Sequence, residues 1–389
     1  MSNPPLGPSR AVELPAEPNL EHLKKVAKHR LRAMRVAAPS TKLTDAQFQI
    51  AREYGFANWR ALKTEIDRRR TPSEAASAKR LKAGPPDPSL EIYARPQRLV
   101  KLNTRRRLNI CVMGAGSPTV VLAAGANAST SHWARVQPEV AKHALTVSFD
   151  KAGRGFSDSG PLPRCAAATV GDLRMALAKT GAKPPYVLVG HSLGGLEMRL
   201  FAFLHPSEVV GLVLVDSMSE EYTARLLEHE TFRDWSRRDY AEVRRTAAMA
   251  RAGTLLPGTP EYDARVYFPP EPELPDALNA VILKNRGSPA YWRAECSFIR
   301  HLGTDQMAMA KARRSLGEMP IVVLIAAETL AAGGDPKLSA LTQSTQAEMA
   351  ALSSRGRHRI VDGGHHIPWE QPDAIISAIE EVLAEVRST

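Results

Sequence analysis

The chain has 389 residues, of which 43% are hydrophobic and 24% are charged. This length suits one large α/β domain with an appendage, and the composition excludes a disulfide-stapled miniprotein and a globally disordered chain. No run reaches the ~20 apolar residues of a membrane span, and the N-terminal stretch lacks a secretory signal, so we expect a cytoplasmic protein without membrane association. The three cysteines lack metal-ligand spacing, which predicts reduced thiols and no metal site.

The formal net charge of +11 is concentrated near the N-terminus: residues 1–110 carry +13 and the remainder −2. These charges are spread over predicted helix faces, a linker and a hairpin, and they form no recognised nucleic-acid motif. A solvated basic surface is therefore favoured, and nucleic acid is not expected as a partner. A hypothesis from another class remains open, in which the basic helices dock nucleic acid or an acidic partner and the protein is a non-catalytic binding module.

The first predicted elements are three helices that form a small domain over residues 19–70, after a disordered segment at 1–18. Asn19 is the predicted N-cap of the first helix. Thr44 with Gln47 three residues later has the spacing of a capping box, and Gly55 predicts the end of this second helix. Asn58 is predicted to start the third.

Residues 71–90 are predicted to be a linker because they carry four prolines and few apolar side chains. An antiparallel strand pair is then predicted at 99–102 and 108–112, followed by six short apolar runs that alternate with helical patterns. Continuous Val and Leu runs are typical of strands buried on both faces, which predicts a mainly parallel sheet flanked by helices. Residues 91–217 and 320–389 would form this core, and 218–319 a helical lid inserted into it.

The strongest local motif is Gly190-His191-Ser192-Leu193-Gly194, which fits G-x-S-x-G between an apolar strand and an amphipathic helix. A nucleophile on such a tight turn forces neighbouring backbone together, so the positions two before and two after it must lack a Cβ. Ser192 would then project from the sheet at a helix N-terminus, whose dipole favours a developing negative charge. The motif therefore predicts a nucleophilic serine.

From about residue 93 onward, the chain resembles the α/β-hydrolase family, and specifically its capped, esterase-like members. Further matching segments are AAGANAST, FDKAGRGFSDSG and GGHHIPWEQPDAIISAIEEVL. The resemblance implies an α/β-hydrolase fold with a helical lid. Residues 19–70 separately resemble a short helical module that is fused ahead of other domains.

In this family the general base follows the last strand, and the chain order is Ser, acid, His. The resemblance puts the base on His365 and makes His366 a neighbour that lines the loop or pocket. His191 is interpreted as structural support, with its side chain turned away by the elbow.

The acid has three candidates. The commonest family layout would place it where this chain has Leu330, whereas a second layout places it after the preceding strand, at Asp216. Asp216 is preferred because functional groups gather at the carboxyl ends of parallel strands. Asp335 and Glu328 remain as alternatives.

The resemblance implies an oxyanion hole formed by the backbone amides of Leu193 and Ala126. The usual His-Gly of the preceding loop is Ala124-Gly125 here, a departure expected to weaken the anchoring of this loop. Asn127 is a candidate substrate contact or a turn-stabilising residue.

Together these features predict a serine hydrolase that cleaves carboxylic esters or lactones of a hydrophobic small molecule, with no metal or cofactor. The lid aromatics are expected mostly to form the lid core, with some facing an apolar pocket. The same triad also serves C–C bond hydrolysis, amide hydrolysis and acyl transfer, which stay open as alternatives. Epoxide hydrolases are disfavoured because they use a carboxylate where this chain has Ser192. Self-association into a homo-oligomer is left open.

Overall fold

A computed structural model describes residues 20–37, 40–54, 56, 58–69, 87–228, 230–257, 259–266, 274–331 and 335–388. The chain divides into two compact units, Met1–Lys82 and Ala83–Thr389. The disordered segment predicted at 1–18 and most of the linker predicted at 71–90 lie outside the described residues. Within the described ranges, no helix is long and apolar enough to cross a bilayer.

The first unit contains three helices, α1 (Leu20–Ala37), α2 (Leu43–Glu53) and α3 (Trp59–Arg69). Their apolar residues share one small core, formed by Leu20, Leu23, Ala27, Ile50, Ala51, Leu62 and Ile66. Asn58 caps α3 as predicted, because its Oδ1 accepts a hydrogen bond from the Ala61 amide at 2.9 Å. The capping box predicted at Thr44 is wrong: α2 begins at Leu43, and the Lys42 amide donates to Asp45 at 2.7 Å. Asn19 and Gly55 lie outside the described residues.

The second unit is built on an eight-stranded sheet with the order β1-β2-β4-β3-β5-β6-β7-β8. The first two strands pair antiparallel as predicted, β2 pairs antiparallel with β4, and all further pairs are parallel. The strands are β1 (Arg98–Lys101), β2 (Arg107–Met113), β3 (Thr119–Ala123), β4 (Thr146–Phe149), β5 (Tyr186–His191), β6 (Val209–Val215), β7 (Ile321–Ala326) and β8 (Gly356–Val361). The prediction of a mainly parallel sheet is confirmed.

Helices cover both faces of this sheet. Because β3 and its neighbours are buried on both sides, Val121 belongs to one apolar cluster and Val120 to the other. The helices of the core are α4 (Gln137–Val140), α5 (Ala166–Thr180), α6 (Leu193–Leu204), α12 (Ala327–Ala331), α13 (Pro336–Ala350), α14 (Ile367–Glu370) and α15 (Pro372–Arg387).

Between β6 and β7 lies a helical insertion, formed by α7 (Glu220–Glu228), α8 (Glu230–Ala252), α9 (Pro260–Arg265), α10 (Asp276–Arg286) and α11 (Pro289–Ala312). These helices lie within residues 218–319, the segment for which a helical lid is predicted. The boundary predicted at residue 90 needs a correction, because a short 3-10 helix over Pro88–Ala94 begins inside the predicted linker. Asp87 caps this helix by accepting a hydrogen bond from the Ser89 amide at 2.9 Å.

Candidate active site

Ser192 lies on the sharp turn between β5 and α6. Its backbone has φ 54° and ψ −121°, a conformation that non-glycine residues rarely adopt. A Cβ at Gly190 would lie 2.4 Å from the Gly194 carbonyl oxygen, and one at Gly194 would lie 2.1 Å from the Ala123 carbonyl oxygen. Neither contact is sterically possible without a backbone shift, so both flanking glycines are required by this turn.

Asp216 follows β6 on a second strained turn, with φ 40°. Its side chain is 1% exposed, and its Oδ2 lies 2.6 Å from His365 Nδ1. The carboxylate is further held by the Thr329 hydroxyl, which donates to Oδ2 at 2.6 Å, and by the Ala326 amide, which donates to Oδ1 at 3.1 Å. The structure therefore orients the His365 ring by a buried, multiply hydrogen-bonded carboxylate.

The two turns are connected through the backbone. The Ser192 amide donates to the Val215 carbonyl at 3.0 Å, and the Met218 amide donates to the Ser192 carbonyl at 2.9 Å. The candidate nucleophile and the candidate acid consequently sit on adjoining strand ends whose separation is fixed by hydrogen bonds.

The other two acid candidates are placed differently. Asp335 caps α13, where its Oδ1 accepts the Lys337 amide at 2.9 Å. Glu328 lies near the His365 loop, since a Cβ at Gly364 would be 3.0 Å from its Oε2. The hydrogen bond from the His365 ring, however, goes to Asp216.

A chain of histidines supports the position of His365. The His191 Nε2 lies 2.7 Å from the His365 carbonyl oxygen, and the His191 Nδ1 lies 3.0 Å from the His132 Nε2. Because a carbonyl only accepts, His191 must donate from Nε2 and accept at Nδ1, which requires His132 to donate from Nε2. Burial lowers the pKa of His132 to about 3 and holds the pKa of His191 well below its ordinary value. Both rings are therefore neutral at pH 7.

The predicted oxyanion loop, residues 124–127, runs against the elbow. A Cβ at Gly125 would lie 3.4 Å from the Ser192 Cβ. The Lys151 ammonium donates to the Ala124 carbonyl at 2.5 Å and to the Gly125 carbonyl at 3.1 Å, and Arg154 Nε donates to the Ala126 carbonyl at 3.1 Å. The expectation that this loop is weakly anchored is therefore wrong, because two buried cations replace the missing histidine.

Both cations have carboxylate partners. Lys151 Nζ lies 3.0 Å from Glu197 Oε2, and Arg154 pairs with Glu295 and also donates to the Tyr291 carbonyl at 2.8 Å. Burial lowers the pKa of Lys151, and the Glu197 charge opposes that change.

A small cavity adjoins the two predicted oxyanion residues, Ala126 and Leu193. Phe298 of the insertion reaches it, whereas Tyr291 and Trp292 belong to the core of the insertion. The remaining lining residues are Lys151, Ala152, Arg154, Arg164, Cys165, Ala166, Thr169, Glu197 and Ala294. Asn127 is exposed and is not part of this lining, so both its substrate-contact role and its turn role stay predictions.

Sequence reasoning missed His132, Thr329, Lys151 and Arg154. Lys151 and Arg154 belong to the FDKAGRGFSDSG segment, where two basic residues in a short loop after a buried strand signal a role at this edge of the sheet but not that they turn inward. No comparable signal exists for His132 or Thr329, because their partners are distant in the chain.

The comparisons with known proteins agree with this fold. The model of the Alpha/beta hydrolase family matches residues 120–378, more than half of the chain. The chain belongs to the alpha/beta hydrolase family. It is similar to the alpha/beta hydrolase domain-containing protein VTE7 of Arabidopsis thaliana, at 38% identity over 29% of this chain and 34% of that protein. The match to another curated relative, the protein YbdG of Bacillus subtilis, likewise covers only 35% of that protein.

Two solved structures share the fold. ALR0039 from Nostoc sp. PCC 7120 superposes with a TM-score of 0.57 at 19% identity, covering 74% of this chain and 97% of that one. The epoxide hydrolase CorEH superposes with a TM-score of 0.51 at 18% identity, covering 74% of this chain and 98% of that one. At these identities the likeness concerns the fold.

Proposed function

We propose that this protein is a serine hydrolase that cleaves carboxylic esters, lactones included, of a hydrophobic small molecule. The observation that carries the proposal is the 2.6 Å contact between His365 Nδ1 and Asp216 Oδ2, beside a serine on a strained strand-to-helix turn. With its Nδ1 proton donated to Asp216, the neutral His365 ring presents Nε2 as a general base.

In the proposed reaction, Ser192 Oγ attacks the acyl carbon while His365 takes the hydroxyl proton. The negative oxygen of the tetrahedral intermediate accepts hydrogen bonds from the Ala126 and Leu193 amides. Collapse breaks the bond to the alkoxy group, which leaves with the proton from His365. Water then repeats the sequence on the acyl-enzyme, and the carboxylic acid is released as Ser192 regains its proton.

The cavity beside these amides supports an uncharged substrate. Its alanines, Leu193 and Phe298 supply apolar surface. Its basic side chains are each engaged in an ion pair: Lys151 with Glu197, Arg154 with Glu295, and Arg164 with Asp172. A charged acyl group would have to displace one of these buried pairs, at considerable cost.

The type of nucleophile distinguishes the proposed reaction from epoxide hydrolysis, the activity for which the structural neighbour CorEH is named. Epoxide hydrolases of this fold attack with a carboxylate, which produces an ester intermediate. This chain presents the Ser192 hydroxyl at that position, and a hydroxyl needs the His365 base.

The decisive test is labelling with a fluorophosphonate followed by peptide mapping. We expect stoichiometric labelling of Ser192 that is lost in His365→Ala, because the reagent needs an assembled base and oxyanion hole. His366→Ala is the matched control and should label normally. If the folded wild-type protein is not labelled while its pocket is open to small molecules, the proposal fails and the non-catalytic binding module takes its place.

The reaction class is then resolved with substrates. We expect turnover of p-nitrophenyl esters and of medium-ring lactones, with little activity toward the matching anilide. A preference for the anilide, for a C–C bond substrate or for an alcohol acceptor over water would indicate that the same triad serves amide hydrolysis, C–C bond hydrolysis or acyl transfer, respectively.

A further inference from the structure

The peptide group between Gly125 and Ala126 is held from one side by a buried ammonium. Lys151 Nζ donates to the carbonyl of Gly125 at 3.1 Å, and the amide in the same peptide unit is the N–H of Ala126. This peptide is trans, so its carbonyl and its N–H point in opposite directions. An ammonium bound on the carbonyl side therefore directs the Ala126 N–H away from Lys151.

The next peptide group is held in the same way. Arg154 Nε donates to the carbonyl of Ala126 at 3.1 Å. The carbonyls on both sides of the Ala126 amide thus bind a cation, which restricts rotation of either peptide plane. Hydrogen bonds in series polarise one another in a low dielectric, so a cation at the Gly125 carbonyl makes the Ala126 N–H a stronger donor.

Both cations are tied to elements that carry other parts of the site. Glu197, the partner of Lys151, lies on α6, the helix that Ser192 begins. Glu295, the partner of Arg154, lies on α11 of the insertion. Lys151 thereby links the loop 124–127 to the nucleophile helix, and the Gly125 backbone lies against Ser192.

We propose that Lys151 and Arg154 are positioning residues that aim and polarise the Ala126 amide toward the negative oxygen formed during catalysis. The inference rests on the proposed serine hydrolase function and adds the residues that prepare its oxyanion hole. Neither side chain needs to touch the substrate.

The main test is the double variant Lys151→Met with Glu197→Gln, which removes both charges of the pair and leaves no unpaired buried charge. We expect kcat for p-nitrophenyl acetate to fall about 100-fold while KM stays within threefold, because losing a preorganised oxyanion donor costs about 10²–10³ in kcat. The matched control is Arg199→Met with Glu220→Gln, which removes another buried pair from α6 and should keep kcat within threefold.

A second readout separates positioning from a general structural role. Phenylboronic acid forms a negatively charged tetrahedral adduct on an active serine, with its oxygen in the oxyanion hole. Its Kd should rise in the Lys151 double variant by the same factor by which kcat falls. A merely structural role would change KM and the unfolding temperature. The change in the Kd of the boronate would then not match the change in kcat.

If the double variant does not fold, Arg154→Lys supplies the same test. Lysine keeps the charge beside Glu295 but cannot reach the Ala126 carbonyl and the other acceptors together, so kcat should fall about tenfold. Unchanged kcat and boronate affinity in variants of a wild type that labels at Ser192 would overturn this inference alone. A wild type that does not label would overturn the proposed function itself.

Discussion

The two sides of the proposed active site are held by opposite kinds of interaction. The base side, which comprises Asp216, His365, His191 and His132, rests on neutral donors arranged around a single buried carboxylate. The oxyanion side, which comprises the loop 124–127 with Lys151, Arg154 and their carboxylate partners, rests on buried ion pairs.

This difference has a chemical reason. In the proposed reaction the base must accept a proton, so cations close to it would lower its basicity. The oxyanion hole must stabilise a negative charge, so cations behind its amides assist it. We therefore expect the two sides to respond differently to substitution and to pH.

The largest effect should come from the acid of the base side. Asp216→Asn keeps the shape of the side chain but removes the charge that selects the His365 tautomer, and we expect kcat to fall about 10⁴-fold. The measurement is steady-state hydrolysis of an activated ester by a variant shown to be folded.

Asp335→Asn is the control for this change, because asparagine also caps α13 and activity should stay within twofold. Near-normal activity of Asp216→Asn would contradict the assignment and point to Glu328.

A smaller effect is expected from the contact that joins α6 to the oxyanion loop. Gly194→Ala would place a methyl group 2.1 Å from the Ala123 carbonyl oxygen, so the start of the loop must move. We expect destabilisation of about 1–3 kcal/mol and an approximately 10²-fold loss of kcat, since a shift of about 1 Å in a catalytic group has that cost.

The control here is Gly171→Ala, at a position on α5 where an added methyl group meets nothing within 4 Å. It should leave kcat unchanged and stabilise the helix by up to about 1 kcal/mol. Equal effects of the two substitutions on urea unfolding and on kcat would show that the close approach at Gly194 has no role.

The smallest expected effect is on the stability of the protein at acidic pH, through His132 of the base side. Burial holds the pKa of His132 at about 3, so below pH ~6.5 the unfolded chain binds a proton that the folded chain does not. The contribution of His132 to the free energy of unfolding is fully present above pH ~6.5. It is lost as pH falls from there toward 3, and the loss is on the order of 1–2 kcal/mol by pH 5.

His132→Gln can still donate to His191 but does not titrate, so its free energy of unfolding should depend less steeply on pH between 6.5 and 5. Urea unfolding at a series of pH values measures this slope, with the exposed His358→Gln as control. A slope as steep as in the wild type would show that the acid sensitivity arises elsewhere.

The strands and the elbow were predictable because their sequence signals are local. Buried parallel strands need continuous apolar runs, and the turn at Ser192 needs glycines at fixed offsets, so both are visible without knowledge of the fold. The carboxylate that contacts His365 was predictable only as one of three candidates, since which strand end meets His365 depends on how the sheet is assembled.

The anchoring of the oxyanion loop was not predictable in this way. Lys151 and Ala124 are separated by 27 residues, and a lysine after a strand is usually exposed. Only the three-dimensional structure shows that it is 8% exposed and turned inward to backbone carbonyls. The start of α2 differs from the prediction for a different, local reason, because Lys42 and Asp45 supply the cap in place of the threonine.

The positive φ angles of Ser192 and Asp216 have a thermodynamic consequence. Non-glycine residues held in sparsely populated backbone regions cost on the order of 1–3 kcal/mol each, a sizeable part of the 5–15 kcal/mol that keeps a typical domain folded. The free energy gained by burying the apolar sheet beneath these turns therefore offsets the strain and allows the two strained residues to persist. Mutations in the buried strands that never touch the site would then erode activity by making this strain unsustainable.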